Sequence, residues 1–452
     1  MKSMPAAKLI PTAVSLALAA LVAVASSARG EDLLQIYREA QQNDPVLAAA
    51  RASWTATQEA VPQARAGLLP NVSGAGSANL NNFSENIRSD PPVDINNRNF
   101  RLGALSVSAS QPLYRVQNQV AYDQAKQQVA QADYTFSSAQ QDLILRVAVA
   151  YFDVLLAEFN VELAESQKIA VSEQLAQAKR NFEVGVATIT DTNEAQAKFD
   201  SIVALEISAR NDLDNKRTAL RAIIGRQPPP LRRVGPGFDP QAPSPNALDY
   251  WIDRALADNL QVKIAAYNYD IATLEVDRQK AGHLPTVDLV GSYSYQAGNG
   301  ATNLTNGFDL RQAQIGVQLN VPIYQGGFID SRVRQAIALQ DNARQNVEVA
   351  KRNALFNAQT GFSGVNSAVA SVKAFEQAVV SAQVAYDSNR LGQEVGVRTN
   401  LDVLNTQQNL YSTRRDLAQA YFNYLIGVLR LKSAVGTLSE RDLEDINRRL
   451  AS

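Results

Sequence analysis

The stretch Ile315-Gly316-Val317-Gln318-Leu319-Asn320-Val321-Pro322-Ile323-Tyr324 decides the fold class. Its apolar residues occupy alternate positions and small or polar residues fill the positions between, the period of a strand with one apolar and one polar face. The same alternation runs through Leu105, Val107 and Ala109 against Ser106, Ser108 and Ser110. It is less clean for Val287, Leu289, Gly291, Tyr293 and Tyr295 against Asp288, Ser292 and Ser294, and weakest from Asn71 to Leu80. Four strands are predicted, at about 69–82, 99–113, 284–297 and 310–323, with polar hairpin loops at Asn81 to Asn99 and Ala297 to Asp309. Tyr293 and Tyr295 fit either lipid-facing anchors or ordinary strand residues.

Around these strands the period becomes helical. Asp32 to Ala66 and Ala247 to Ala281 each read as a helix ended by glycine, Gly67 or Gly282, with Pro70 or Pro285 just beyond. Arg115 to Asn181 contains neither Gly nor Pro, and at ~1.5 Å rise per residue such a helix would reach roughly 100 Å. Its seam of Ala150, Val154, Ala157, Val161, Ala164, Val171, Leu175, Ala178 and Phe182 alternates steps of four and three, with Lys168 as the one break. Val365, Ala368, Val372, Phe375, Val379, Ala382 and Tyr386 keep the same rhythm, which indicates a coiled coil. Shorter antiparallel helices follow turns at Gly185 and Gly396, from about Asp191 to Ile224 and Leu401 to Val435.

The chain also resembles itself. Arg65-Ala66-Gly67-Leu68-Leu69-Pro70 recurs as Lys280-Ala281-Gly282-His283-Leu284-Pro285, Gln111-Pro112-Leu113-Tyr114 as Val321-Pro322-Ile323-Tyr324, and Val184-Gly185-Val186 as Val395-Gly396-Val397. Two repeats are expected, 31–225 and 247–436, joined by a linker at 226–246 whose prolines forbid regular structure, with a short tail at 437–452. Pro70, Pro112, Pro285 and Pro322 mark the junctions between strands and helices.

Composition narrows the function. Lys plus Arg (43) and Asp plus Glu (44) nearly cancel, which argues against nucleic acid as a partner. With no cysteine and one histidine, His283, thiolate metal sites, disulfides and multi-histidine centres are excluded, and no catalytic or cofactor motif is present. Residues 1–30 read as an export signal, with Lys2 and Lys8 before an apolar run and a cleavage site at Ala28-Arg29-Gly30 or Ala23-Val24-Ala25. No later stretch is long and apolar enough for a membrane helix, so any span must be built from strands. A membrane-spanning sheet must close, four strands cannot, and two, three or four chains would give eight, twelve or sixteen. Tyr114 and Tyr324 stand where an interfacial aromatic girdle would belong.

Gly185-Val186-Ala187-Thr188-Ile189-Thr190-Asp191, Ala209-Arg210-Asn211-Asp212-Leu213-Asp214-Asn215 and Val395-Gly396-Val397-Arg398-Thr399-Asn400-Leu401-Asp402-Val403-Leu404 resemble the TolC family of outer-membrane export channels. Tyr421-Phe422-Asn423-Tyr424-Leu425-Ile426 and Lys432 to Leu438 add to the likeness, which covers essentially the whole chain from Glu31 to about Leu450. The resemblance implies a mixed α and β fold: a homotrimeric, twelve-stranded transmembrane β-barrel, four strands per chain, continuous with a long α-helical coiled-coil barrel. It implies an exit duct without a cofactor or enzymatic activity, in outer-membrane lipid, working with a periplasmic adaptor and an inner-membrane transporter of RND or ABC type.

It also implies a gate at the periplasmic helix tips. Asp402 matches the first of two aspartates that ring the aperture, and Asn405, three residues on, stands at the second, so one anionic ring is expected. Arg398 matches an arginine that bonds across helices to the Thr190 and Asp191 positions, and Gln393 replaces a tyrosine of the latch. Thr190, Asp191, Thr399 and Asn400 also open helices, where such residues serve as N-caps, and Arg398 beside a turn also fits a solvated charge. A periplasmic adaptor or coiled-coil scaffold without a pore is the alternative, and it leaves the four strands without a use.

Overall fold

Proline decides where the strands begin. The structure, a computed structural model, describes residues 30–83, 98–233, 239–299 and 307–451; nearly all of the expected leader, the middles of both hairpin loops and Pro236 lie outside the described residues. Strand β1 (Asn71–Phe83) starts directly after Pro70 and β3 (Thr286–Gly298) directly after Pro285, because proline cannot donate to a ladder. Strands β2 (Arg98–Tyr114) and β4 (Phe308–Asn320) complete one antiparallel sheet in the order β1-β2-β3-β4. The expectation that the last strand reaches 323 is corrected: β4 stops at Asn320, and Val321 and Pro322 lie beyond it. Pro112, by contrast, lies inside β2, where the register against β3 shifts between Pro112 and Tyr114.

The chain divides into two compact units. One holds residues 52–135 and 261–350 and contains the sheet. Cross-strand pairing aligns Ser73, Ser108, Ser292 and Gln314 on one face, and Ser73 and Ser108 bond through their hydroxyls at 2.8 Å. The opposite face carries Leu105, Val107, Tyr293, Ile315, Val317 and Leu319, all exposed to solvent within the single chain. At the inner end of the sheet, Asp288 is buried and accepts two bonds from the Arg115 guanidinium, at 2.9 and 2.6 Å. Arg115 follows β2 directly, so this pair ties the end of one strand pair to the start of the next.

The other unit comprises residues 1–51, 136–260 and 351–452 and is helical. The single helix expected from Asp32 to Ala66 is corrected to three: α1 (Leu33–Asn43), α2 (Pro45–Gln58) and α3 (Ala60–Ala66). The break at Asp44 has a local cause, since Pro45 lacks an N–H and Asp44 caps the next turn by accepting from Leu47 N–H at 2.9 Å. Burial works to raise the Asp44 carboxyl, but bonds from Arg146 and the N–H groups of Leu47 and Val46 outweigh it and hold the group below its ordinary value. The counterpart segment is likewise divided, into α6 (Leu248–Asp258), α7 (Leu260–Lys280) and a 3₁₀ turn at Ala281–His283; α4 and α5 are defined below. Asn259 separates α6 from α7, its amide donating to Ala434 carbonyl at 2.7 Å.

Four helices make two hairpins. Helix α4 (Val116–Glu183) is followed by α5 (Ile189–Ile224), and α8 (Phe328–Glu394) by α9 (Asn400–Ala434). The expected seam is buried at Ala150, Val154, Ala157, Ala164, Val171, Leu175 and Ala178, but Phe182, at the fraying end of α4, is exposed. Lys168, the break in that seam, pairs at 2.7 Å with Glu206, a buried carboxylate on α5. Three further ion pairs join α4 to α5: Asp153 with Lys216, Glu158 with Arg217 and Glu165 with Arg210. Among the described residues no ion pair joins α8 to α9, where Arg414 donates to Gln383 and Tyr421 to Glu376 instead. Phe152 of α4 packs against Phe422 of α9, ring centres 5.6 Å apart. The expected tail after 436 contains α10 (Glu440–Ala451), held by buried Leu443 and Ile446 and by a Lys432–Asp442 ion pair.

Asp288→Asn leaves the half-buried Arg115 charge without its partner, and thermal unfolding in detergent should show a loss of about 2 kcal/mol, below the full cost of a buried pair because Arg115 is partly solvated. Glu206 is held below its ordinary 4.5 by the Lys168 hydrogen bond first and by Arg210 as well. A depressed carboxylate stabilises above its unfolded pKa and loses that contribution as pH falls through its folded one. Glu206→Gln should therefore lower the unfolding temperature at pH 7 and narrow its gap to the parent protein as pH is lowered below 4.5.

Candidate functional site

Both hairpins end in the same local chemistry. After α4, Gly185 takes φ +79°, and Val186 N–H reaches back to Asn181 carbonyl at 2.9 Å; after α8, Gly396 takes φ +81°, and Val397 N–H reaches Gly392 carbonyl at 2.9 Å. These are glycine-terminated helix ends, and the glycines are required by conformation alone, because a Cβ at either would meet nothing within 4 Å. The return helices then open with reciprocal capping boxes. Thr188 Oγ1 accepts from Asp191 N–H at 3.2 Å while Asp191 Oδ2 accepts from Thr188 N–H at 2.9 Å. Thr399 and Asp402 repeat the arrangement at 3.2 and 3.0 Å.

The two aspartates expected at the gate are thus both helix caps. Thr399, through its N–H and its hydroxyl, holds the Asp402 carboxyl below its ordinary value, and the field of Arg398 adds to this. Asn405 is exposed one turn further along the same face. Asp191, Gln393 and Arg398 line one cavity of about 260 Å³, together with Asn181, Thr399 and Asn400. Within it Gln393 donates to Asn400 at 3.3 Å, a bond inside its own hairpin tip. No hydrogen bond or ion pair joins Arg398 to Thr190 or Asp191 among the described residues, and Thr190 is exposed outside the group lining that cavity. Four valines, Val184, Val186, Val395 and Val397, are exposed around these turns.

Sequence reasoning missed Gly392. It is buried, and an ideal Cβ there would lie 2.7 Å from Arg398 Cγ. The aliphatic stem of Arg398 packs onto the helix where only glycine leaves room, which orients the guanidinium. Thr188 was missed as a cap as well, although the spacing Thr188-x-x-Asp191 carries that signal.

Residues 36–226 and 251–437 match the family described as "Outer membrane efflux protein". Outer membrane protein TolC of Vibrio cholerae is 36% identical over 97% of this chain and 98% of its own length. Alkaline protease secretion protein AprF of Pseudomonas aeruginosa is 32% identical over 91% and 86%. The crystal structure of the outer membrane protein VceC from Vibrio cholerae shares the fold with a TM-score of 0.74, at 21% identity over 89% of this chain and 96% of that one. The chain belongs to the outer membrane efflux protein family and is an outer-membrane exit duct of the kind that serves efflux or type I secretion.

Proposed function

We propose that three copies of the chain close into one duct, their twelve strands forming a barrel through the outer membrane and their helices a coiled-coil tunnel on the periplasmic side. The observation that carries this reading is the sheet, which has open edges at β1 and β4, one exposed apolar face and one polar face. Unpaired backbone cannot face lipid, so β1 of one copy must meet β4 of the next until the ring closes. The serines and glutamines then line a wet lumen. Uncovered apolar side chains on α8, including Phe356, Val380, Val384 and Leu391, support burial against a neighbouring copy. Two repeats, 31–225 and 247–436 about a linker at 226–246, are supported by an element order in which two strands, a long helix and a shorter helix occur twice.

The duct conducts passively. A periplasmic adaptor docks at the tips, where the exposed valines offer apolar contact, and an inner-membrane transporter of RND or ABC type supplies energy and cargo. Three-fold symmetry brings the Asp402 carboxylates together at the aperture, with Asn405 contributing no second ring. Arg398 holds the tips shut through the field it shares with Asp402 and Asp191, oriented by its seat on Gly392. Opening is a two-state displacement of the α8–α9 hairpin driven by partner binding, because that hairpin lacks the ion-pair ladder joining α4 to α5.

Single-channel recording of the purified protein in a planar bilayer tests this. The parent should give small, cation-preferring steps, and Arg398→Ser should raise conductance severalfold. Gly392→Ala should do the same by displacing the Arg398 stem. An unchanged closed channel in both would refute the latch. Because the Asp402 carboxyl lies below its ordinary 3.8, it is ionised throughout the neutral and mildly acidic range. Cation preference should therefore hold from pH 7 to about pH 4 and fall only below that, whereas Asp402→Asn should lose it at every pH.

A further inference from the structure

The apolar face of the sheet has a charged outer limit. On that face, from Gly103 to Leu113 on β2 and from Ala313 to Leu319 on β4, no residue is charged. Next outward stand Arg101 and Arg311. Each lies eleven residues before a proline of corresponding Pro-x-Tyr stretches, since 112 − 101 and 322 − 311 are both 11. The ten steps from Gly103 to Leu113 cover about 33 Å along the strand, and at the usual barrel tilt about 25 Å of height, the thickness of an outer-membrane hydrocarbon band. Both arginines are exposed, and among the described residues neither guanidinium has a carboxylate partner. Arg311 lies over the Tyr295 ring at 5.8 Å. Asp309, the one acid on this part of the face, accepts from the Tyr295 hydroxyl at 2.9 Å.

We propose that Arg101 and Arg311 bind the phosphates of an anionic glycolipid of the lipid A class in the outer leaflet, so that each chain contributes two cationic contacts along the outer limit of its apolar band, Arg311 in register with Leu105 through Tyr295 and Arg101 four residues further out on β2. Guanidinium forks match phosphate oxygens, and Tyr293 and Tyr295 supply the amphipathic ring surface that suits the headgroup boundary. Among the described residues these two cations have no carboxylate partner, the nearby Asp309 being engaged by the Tyr295 hydroxyl, and they have no use in a lumen-directed role, because they lie opposite the serine-lined face. The inference rests on the reading of the sheet as a membrane-embedded barrel.

The test uses the full protein, extracted in mild detergent and reconstituted into nanodiscs of phosphatidylcholine with or without a tenth of purified lipid A. Native mass spectrometry and binding titration should show lipid A retained in preference to phosphatidylcholine by the parent protein. Each arginine near an anionic surface should account for about fivefold in affinity, so Arg101→Gln with Arg311→Gln should lose about 25-fold. The Arg101→Lys, Arg311→Lys pair should keep most of the preference, and half-molar salt should weaken it. Equal retention of both lipids by the parent overturns the proposal without any variant having to fold, and leaves the barrel reading standing. Displacement of lipid A by millimolar inorganic phosphate would assign the arginines to free anions instead. Failure to enter nanodiscs of either composition would sink the barrel reading and this inference with it.

Discussion

The backbone N–H and C=O groups along the free edges of β1 and β4 set the terms for everything else in this molecule. In water such an edge is an aggregation hazard; in hydrocarbon each unpaired group costs several kcal/mol. A chain that belongs to the outer membrane and whose described residues form a four-stranded sheet cannot satisfy those groups alone. The exposed row of Leu105, Val107, Ile315, Val317 and Leu319 has the same meaning, since a soluble monomer would bury it. Incompleteness of the single chain is thus part of its design as a channel wall.

The helical unit meets two different demands: stability in water and, on the proposed reading, a gate that moves. The α4–α5 hairpin answers the first need with a ladder of ion pairs and one buried carboxylate, Glu206, set against the seam lysine. Isolated surface pairs contribute little, but a buried partner strongly specifies register, since any slip strands a charge. The α8–α9 hairpin has the singly charged hydrogen bonds Arg414 to Gln383 and Tyr421 to Glu376 and, among the described residues, no ion pair across it. A difference in how two similar hairpins are fastened is the physical basis of the proposed movement of one while the other stays.

At the tips, capping and the proposed gate use the same atoms. Asp191 and Asp402 close capping boxes, yet a carboxylate engaged by an N–H and a hydroxyl on one oxygen retains its full charge. For Asp402 the bonds from Thr399 lower the carboxyl's pKa and so keep that charge present. The structural and electrostatic roles therefore reinforce each other. Arg398 depends on Gly392 in the same way, because the absence of a side chain at one position orients the charge at another.

Much of this was legible in the amino-acid order. Period-two alternation around Ile315 and Leu105, the Gly-free and Pro-free run after Arg115 and the glycine turns are local signals, and local physics sufficed to read them; the capping spacing at Thr188 is as local a signal and went unread. The sequence alone determined the element types, the strand starts at Pro70 and Pro285, and the family likeness. It did not reveal the break at Asn259, which depends on a partner distant in the chain, the Ala434 carbonyl; the break at Asp44 has a local signal in Pro45 and the cap onto Leu47, and the helical periodicity on either side of it masked that signal. Nor did it reveal the Lys168–Glu206 and Arg115–Asp288 pairs, or the seat of Arg398 on Gly392. Tertiary structure decided these, because which charge is buried and which side chain finds room depends on what packs against it, and periodicity along the chain carries no record of that.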